Sequence, residues 1–123
     1  MVDLTTLQKQ VYQNKLDKGF DVRDNKENMF KQFCYLQGEL SEAFEAYNRN
    51  TGTLGEELAD VCLYILGLCE IKGINLEQEI LNKLEIIKKR KYVRINGSMI
   101  REEKLTEEQK KMLKEQKNDK RIY

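Results

Sequence analysis

The stretch "EELADVCLYILGLCE", residues 56–70, is apolar on almost every side of a helix, yet it begins with three carboxylates. Burial of an ionised carboxylate is costly unless the charge is paired. With about 100° of rotation per residue, Glu56 falls on the solvent side, whereas Glu57 borders the apolar arc. Asp60 shares a stripe with Tyr64. The stretch therefore predicts a largely buried helix that presents acids along one edge.

The preceding helix, predicted over residues 27–48, has the same layout. Glu39 borders its apolar arc, and Glu42 lies beside Tyr35. A short loop joins the two helices, so we expect antiparallel neighbours that pack through their apolar arcs. This packing predicts one acidic cluster of four residues, namely Glu39, Glu42, Glu57 and Asp60. The alternative is that each acid pair lies on an ordinary solvated helix face.

The composition narrows the chemistry that such a cluster supports. The chain has no histidine, which excludes a Ser-His or Cys-His nucleophile and a histidine-ligated zinc or di-iron site. Clustered carboxylates repel one another unless a cation neutralises them. Oxygen ligands alone favour a hard divalent ion, so we expect Mg²⁺ first and Mn²⁺ second as the cofactor.

A fourth helix, predicted over residues 76–92, carries two basic residues at the edge of an apolar stripe. Lys83 and Arg90 are seven residues apart and so nearly align. Arginine can bind phosphate oxygens bidentately and lysine can act as a point charge, so both are candidate phosphate-binding residues. Spacing alone favours the alternative that both side chains extend along the core and keep their charges in water. The stripe predicted to face inward consists of Leu76, Ile80, Leu84 and Ile87.

The remaining patterns complete an all-α chain built as a helical bundle. A first helix is predicted over residues 4–18, and Asn96-Gly97 between two β-favouring runs predicts a short hairpin. Residues 105–120 are typical of a lysine-rich helix or frayed tail. We expect a helical domain over residues 1–95 and a hairpin with a C-terminal extension over residues 96–123.

Local signals mark the helix starts. Thr53 and Glu56 fit a capping box at the start of the third helix, in which Glu56 is a cap, and Asn75 fits an N-cap of the fourth. The three cysteines, Cys34, Cys62 and Cys69, lie in apolar patterns and are predicted to be reduced core residues.

The charge balance, with 22 basic and 21 acidic residues among 123, gives a net charge of +1. It offers no broad electrostatic attraction for nucleic acid or an anionic membrane, so we expect neither as a partner. The N-terminus has no apolar run of signal-peptide length and no run approaches a membrane span. We therefore expect a cytoplasmic protein.

At the acidic residues the chain resembles the MazG-like all-α nucleoside triphosphate pyrophosphohydrolases. Their signature, E-x-x-E followed by E-x-x-D, reads here as Glu39-Leu-Ser-Glu42 and Glu57-Leu-Ala-Asp60, and the flanking words "LQGELSEAFEAY" and "KLEIIKKRKY" also match. The resemblance spans roughly residues 7–93. It implies a four-helix arrangement, a homodimer or homotetramer, and Mg²⁺-dependent cleavage of an NTP or dNTP between its α- and β-phosphates to give a monophosphate and pyrophosphate.

The resemblance also implies roles for individual residues. Glu39, Glu42, Glu57 and Asp60 correspond to catalytic metal ligands, with one of them orienting water as an alternative, and Lys83 and Arg90 correspond to phosphate-side residues. We expect the base pocket between the first helix and the two acidic helices. The family often has Asn four residues after the lysine, where this chain has Ile87. That departure favours a second hypothesis, a non-catalytic helical module that binds a nucleotide or a protein partner.

Overall fold

The computed structural model of the chain describes residues 2–118, and most of these residues are helical. The predicted all-α class is confirmed, and residues 2–118 form five α-helices and one small two-stranded sheet. The four predicted helices are present with bounds close to those expected. The helices are α1 (Leu4–Asp17), α2 (Lys26–Arg49), α3 (Leu54–Ile71), α4 (Leu76–Lys89) and α5 (Glu107–Asn118), and the strands are β1 (Tyr92–Ile95) and β2 (Ser98–Arg101).

The chain divides into two compact units, residues 1–81 and residues 82–123, with the division inside α4. The first unit contains α1, α2, α3 and the start of α4. The second contains the remainder of α4, the hairpin and α5. The predicted domain bounds, 1–95 and 96–123, stay a prediction.

A short turn returns α3 alongside α2. Asn50, after the last residue of α2, adopts a left-handed conformation with φ 53°, which asparagine tolerates better than most residues. The predicted capping box is wrong, because the Thr53 side chain makes no cap hydrogen bond to α3. Its hydroxyl instead lies 2.7 Å from the Thr51 hydroxyl, and its N–H donates to Thr51 Oγ1 at 3.3 Å.

Contacts along α2 and α3 establish that the two helices run antiparallel. The rings of Tyr35 and Tyr64 are 6.2 Å apart, centroid to centroid. Beyond them, Lys72 Nζ, just after α3, lies 3.0 Å from Asp24 Oδ1, just before α2. Because the two helices run in opposite directions from a shared turn, Glu39 of α2 lies level with Glu57 of α3.

Buried polar side chains attach α1 to the turn between α3 and α4. Gln8 is 4% exposed and donates to Glu70 Oε2 at 2.8 Å and to the Ile74 carbonyl at 2.6 Å. Its own Oε1 accepts from the Leu76 N–H at 3.3 Å. At the start of α4, the Asn75 side chain accepts from the Gln78 N–H, which confirms the predicted N-cap.

The core differs from the predicted apolar arcs. The buried side of α2 follows the stripe through Glu39 and contains small and polar residues, namely Asn28, Gln32, Ala43 and Ala46. Small side chains on this side of α2 let α3 approach closely. No described element of the first unit covers the apolar arc of α2, which carries its aromatic residues. Phe33, Phe44 and Tyr47 lie on the apolar arc through which α2 is predicted to pack against the next helix. They are instead 50%, 63% and 70% exposed.

The same correction applies to α4 and to two cysteines. Ile80, Leu84 and Ile87 are exposed, and α4 has no buried residue. All three cysteines are free thiols, as predicted, but only Cys69 is buried. Cys34 and Cys62 are exposed because they lie outside the narrow contact between α2 and α3.

In the second unit the predicted hairpin is confirmed. β1 and β2 pair antiparallel, with Ile95 opposite Ser98. Asn96 and Gly97 have φ of 49° and 83°, as the two central residues of a type I′ turn require. Gln116 of α5 donates to the Arg94 carbonyl at 2.6 Å. The predicted C-terminal helix extends to Asn118, and its last two predicted positions, 119–120, lie outside the described residues.

Candidate metal centre

Three glutamates meet at one edge of the α2–α3 pair. Glu39 and Glu42 are three residues apart, so both project from the same side of α2. Glu57, in the first turn of α3, lies level with them. One carboxylate oxygen from each of the three residues lies within 4.8 Å of the others. The two helices therefore bring together acids that are far apart in sequence.

Two of these carboxylates are only partly accessible to water. Glu39 Oε2 and Glu57 Oε2 are buried and accept no hydrogen bond from the described residues. Burial raises the pKa of Glu39, and the negative charges of Glu42, Asp60 and Glu57 raise it further. Burial also raises the pKa of Glu57, with added contributions from Glu42 and Asp60. The ionised form of both groups is thus destabilised, and no residue within 2–118 donates a hydrogen bond to either buried oxygen.

Asp60 lies one turn beyond Glu57 on α3 and is exposed. It is not one of the three residues whose oxygens approach within 4.8 Å, but its charge reaches both Glu39 and Glu57. Within residues 2–118, no lysine or arginine forms an ion pair with any of the four acids. Carboxylate oxygens in this arrangement fit a hard divalent cation such as Mg²⁺ or Mn²⁺.

A shallow pocket of about 340 Å³ opens beside the acids at the α2–α3 turn. Glu42 and Glu57 are among its lining residues, together with Ser41, Thr51 and Thr53. Its lining is open to solvent, so a polar ligand has direct access to the glutamates.

The two predicted phosphate-binding residues belong to the second unit. Lys83 is exposed on α4, and Arg90 is half-buried just after the last residue of that helix. Arg90 lines a separate pocket of about 450 Å³ with Lys89, Lys91 and Glu102 among its neighbours. The acidic cluster is built entirely within the first unit, so these two basic residues are not part of it.

Sequence patterns did not single out one further group, a half-buried lysine near the tyrosines. Lys15 of α1 has its ammonium 5.3 Å from the centroid of the Tyr64 ring and 3.3 Å from Gln32 Oε1. Burial raises the pKa of Tyr64, and the negative charges of Glu39, Asp60 and Glu42 raise it further. The signal that the sequence offers for this lysine is Gly67, because a glycine on the buried side of α3 leaves room for a side chain of another helix.

No family model, curated protein or solved structure matches this chain. None of the helices in the described part of the chain has the length and apolar character needed to cross a bilayer.

Proposed function

We propose that the chain is a Mg²⁺-dependent nucleotide pyrophosphohydrolase with a MazG-like four-helix arrangement. The observation that carries the proposal is the meeting of Glu39, Glu42 and Glu57 with oxygens within 4.8 Å, two of these residues having buried carboxylate oxygens without a partner. These acids occur in the order of the E-x-x-E and E-x-x-D motif. The substrate is an NTP or dNTP, cleaved between the α- and β-phosphates to give a monophosphate and pyrophosphate in the cytoplasm.

Glu39, Glu42 and Glu57 hold the cation in this proposal, and Asp60 completes the set through its place one turn after Glu57. When bound, Mg²⁺ neutralises phosphate charge and lowers the pKa of a coordinated water. The chain's own residues fix the ligand oxygens on two packed helices, so the site needs little reorganisation on binding. In the alternative assignment, one of the four acids orients the attacking water and accepts its proton instead of binding the metal.

Lys83 and Arg90 are proposed to bind the phosphates. Both are free of carboxylate partners within 4 Å among the residues that the structure describes, so their charges are available to an anionic ligand. Arg90 is the only half-buried residue in the run 88–91. Partial burial strengthens its interaction with a phosphate oxygen relative to full exposure.

We propose a homodimer or homotetramer in which the exposed aromatic arc of α2 is covered. The arc consists of Phe30, Phe33, Leu40, Phe44 and Tyr47, each at least half exposed. An apolar stripe of this length on one helix is typical of a buried interface. The exposed Ile80, Leu84 and Ile87 of α4 add a second uncovered stripe.

The test is release of pyrophosphate from a panel of ribonucleoside and deoxyribonucleoside triphosphates with Mg²⁺. Glu57→Gln keeps the shape of the side chain and removes a ligand charge, so we expect a loss of about 100-fold or more. Glu56→Gln is the matched control, because Glu56 is exposed and adjacent in sequence. Equal activity in both variants and the wild type would refute the acidic cluster as the catalytic site.

The second candidate is a non-catalytic helical module that binds a nucleotide or a protein partner. Ile87 favours it, since an exposed isoleucine stands where the family often has a polar asparagine. An isoleucine side chain cannot make the hydrogen bond that an amide makes to a substrate. Nucleotide binding without any pyrophosphate release would support this module over the enzyme.

A further inference from the structure

The half-buried Lys15 side chain of α1 lies among residues of α2 and α3. A Cβ atom added at Gly67 would lie 2.7 Å from Lys15 Nζ and 3.2 Å from its Cε. The missing side chain at Gly67 therefore makes room for the lysine to cross α3. The Tyr64 ring lies on another side of the ammonium, 5.3 Å from Nζ to the centroid.

Hydrogen bonds fix the partner of this lysine. Gln32 Oε1 accepts from Lys15 Nζ at 3.3 Å, while Gln32 Nε2 donates to Asn28 Oδ1 at 3.2 Å. Asn28, which is 2% exposed, donates in turn to the backbone carbonyls of Asp21 and Arg23. This chain of bonds sets the orientation of the Gln32 amide, with its oxygen toward the lysine.

Lys15 retains unused bonding capacity. An ammonium has three N–H donors and no acceptor, and Gln32 takes one of the three. In the described part of the chain, Lys15 forms no ion pair with a carboxylate. Partial burial lowers the pKa of Lys15. A hydrogen-bond acceptor on a ligand would engage one of the two remaining N–H donors.

The distance from the acids indicates which part of a nucleotide lies there. Gln32 precedes Glu39 by seven residues (39 − 32 = 7), and Gly67 follows Asp60 by seven (67 − 60 = 7). Seven residues span about 10 Å along a helix axis. Both helices thus place Lys15 two turns from the acids, with Tyr35 and Tyr64 at an intermediate level. A ligand held at the acids by its α-phosphate would place its sugar beside the tyrosines and its base beyond them.

We propose that Lys15 determines base specificity by donating a hydrogen bond to a carbonyl oxygen of the nucleobase, with Tyr35 and Tyr64 beside the nucleoside. This inference rests on the proposed function, since it takes the acidic cluster as the phosphate end. Tyr35 is 52% exposed, so its side chain is accessible to the sugar of a bound nucleotide. Uracil, thymine, cytosine and guanine carry a carbonyl oxygen, and adenine has none. Adenine nucleotides are therefore the poorest ligands.

The experiment is calorimetric binding of UMP, CMP, GMP, AMP and ribose 5-phosphate to the full chain with Mg²⁺. Lys15→Met keeps most of the stem and removes the donor. We expect this variant to raise the Kd of UMP, CMP and GMP about tenfold, and the Kd of AMP and ribose 5-phosphate by less than about twofold. Lys9→Met, on the exposed side of α1, is the control and should leave the Kd of all five ligands unchanged. Lys15→Gln, a neutral donor, serves as a second variant and is expected to retain part of the base preference.

Each outcome bears on the inference. An equal loss for ribose 5-phosphate would show a phosphate contact and overturn it, as would unchanged binding in Lys15→Met or a wild-type chain that binds none of the ligands. A lower melting temperature with unchanged relative affinities would show a structural lysine and also overturn it. Base-selective binding without pyrophosphate release would refute only the proposed hydrolysis. Hydrolysis with binding that is independent of Lys15 would refute only this inference.

Discussion

Glu39 of α2 and Glu57 of α3 bring carboxylate oxygens within 4.8 Å of each other, and each has a buried Oε2 that accepts no hydrogen bond from the described residues. Two anionic groups in this relationship raise each other's free energy, and burial adds to the penalty. A bound cation removes both costs at once. This relationship underlies the first two predictions.

Divalent metal is expected to stabilise the fold. A ligand that binds only the native state stabilises it by mass action, so saturating Mg²⁺ or Mn²⁺ should raise the Tm by at least about 5 °C. Glu57→Gln should abolish most of this shift, and Glu56→Gln should retain it. Thermal unfolding followed by circular dichroism at several metal concentrations measures the effect. An identical shift in both variants would show that the metal binds elsewhere.

The metal-free protein is expected to lose stability as the pH rises. The pKa values of Glu39 and Glu57 are raised in the folded state above the ordinary 4.5. Protonation therefore favours the native state, and the stabilisation is complete below 4.5 and lost as the pH rises through the raised values. The Glu39→Gln, Glu57→Gln double variant mimics the protonated form. It should melt above the wild type near pH 7 and equal to it near pH 4, as measured in EDTA. A constant difference across this range would contradict the prediction.

Two helix starts are expected to respond differently to loss of their N-cap side chain. Asn25 Oδ1 accepts from the Asn28 N–H at 2.8 Å at the start of α2, whereas Thr53 makes no such bond to α3. Asn25→Ala should cost about 1 kcal/mol and Thr53→Ala less than about half of that. Chemical denaturation of the two variants provides the comparison. A larger loss of stability for Thr53→Ala than for Asn25→Ala would indicate that Thr53 caps α3 and would contradict this prediction.

Alanine substitutions at two helical glycines are expected to change the stability differently, because Gly38 faces open space and Gly67 lies against Lys15. A Cβ at Gly38 meets nothing within 4 Å, so Gly38→Ala should stabilise α2 by about 0.5–1 kcal/mol. At Gly67 the same change displaces the Lys15 ammonium, which lies 2.7 Å from the added Cβ, and should not stabilise. Gly67→Ala combined with Lys15→Met should recover the helix gain. Equal effects of the two single variants would contradict the close approach.

Charge placed on the aromatic arc is expected to dissociate the proposed oligomer. Phe44 is 63% exposed within one chain, so Phe44→Glu should leave the monomer folded and shift the measured mass to that of one chain. Lys31→Glu, on another side of α2, is the control and should keep the oligomer. Light scattering after size-exclusion chromatography measures both. A wild-type chain that is already monomeric would remove the basis for this prediction.

The helices and the hairpin follow closely from local sequence. Periodic apolar residues, the absence of proline and the Asn96-Gly97 pair act over a few residues, and the chain forms the predicted helices and hairpin. Which side of each helix is buried does not follow in the same way. Phe33 and Phe44 have more apolar surface than Ala43 and Ala46, yet the alanines are buried and the phenylalanines are exposed. Small side chains allow two helices to pack closely, and this tertiary effect outweighs the apolar pattern of one helix.

Sequence alone determined that acids recur at one edge of two adjacent helices, because a spacing of three residues and a short loop constrain where those side chains project. Tertiary structure alone decided that Glu39, Glu42 and Glu57 converge while Asp60 stays at the margin, since convergence depends on how far α3 slides along α2. It also decided the position of Lys15, whose ammonium reaches Gln32 and Tyr64 only because α1 packs across Gly67. Contacts between residues distant in sequence depend on packing, and packing is a property of the whole unit rather than of any local pattern.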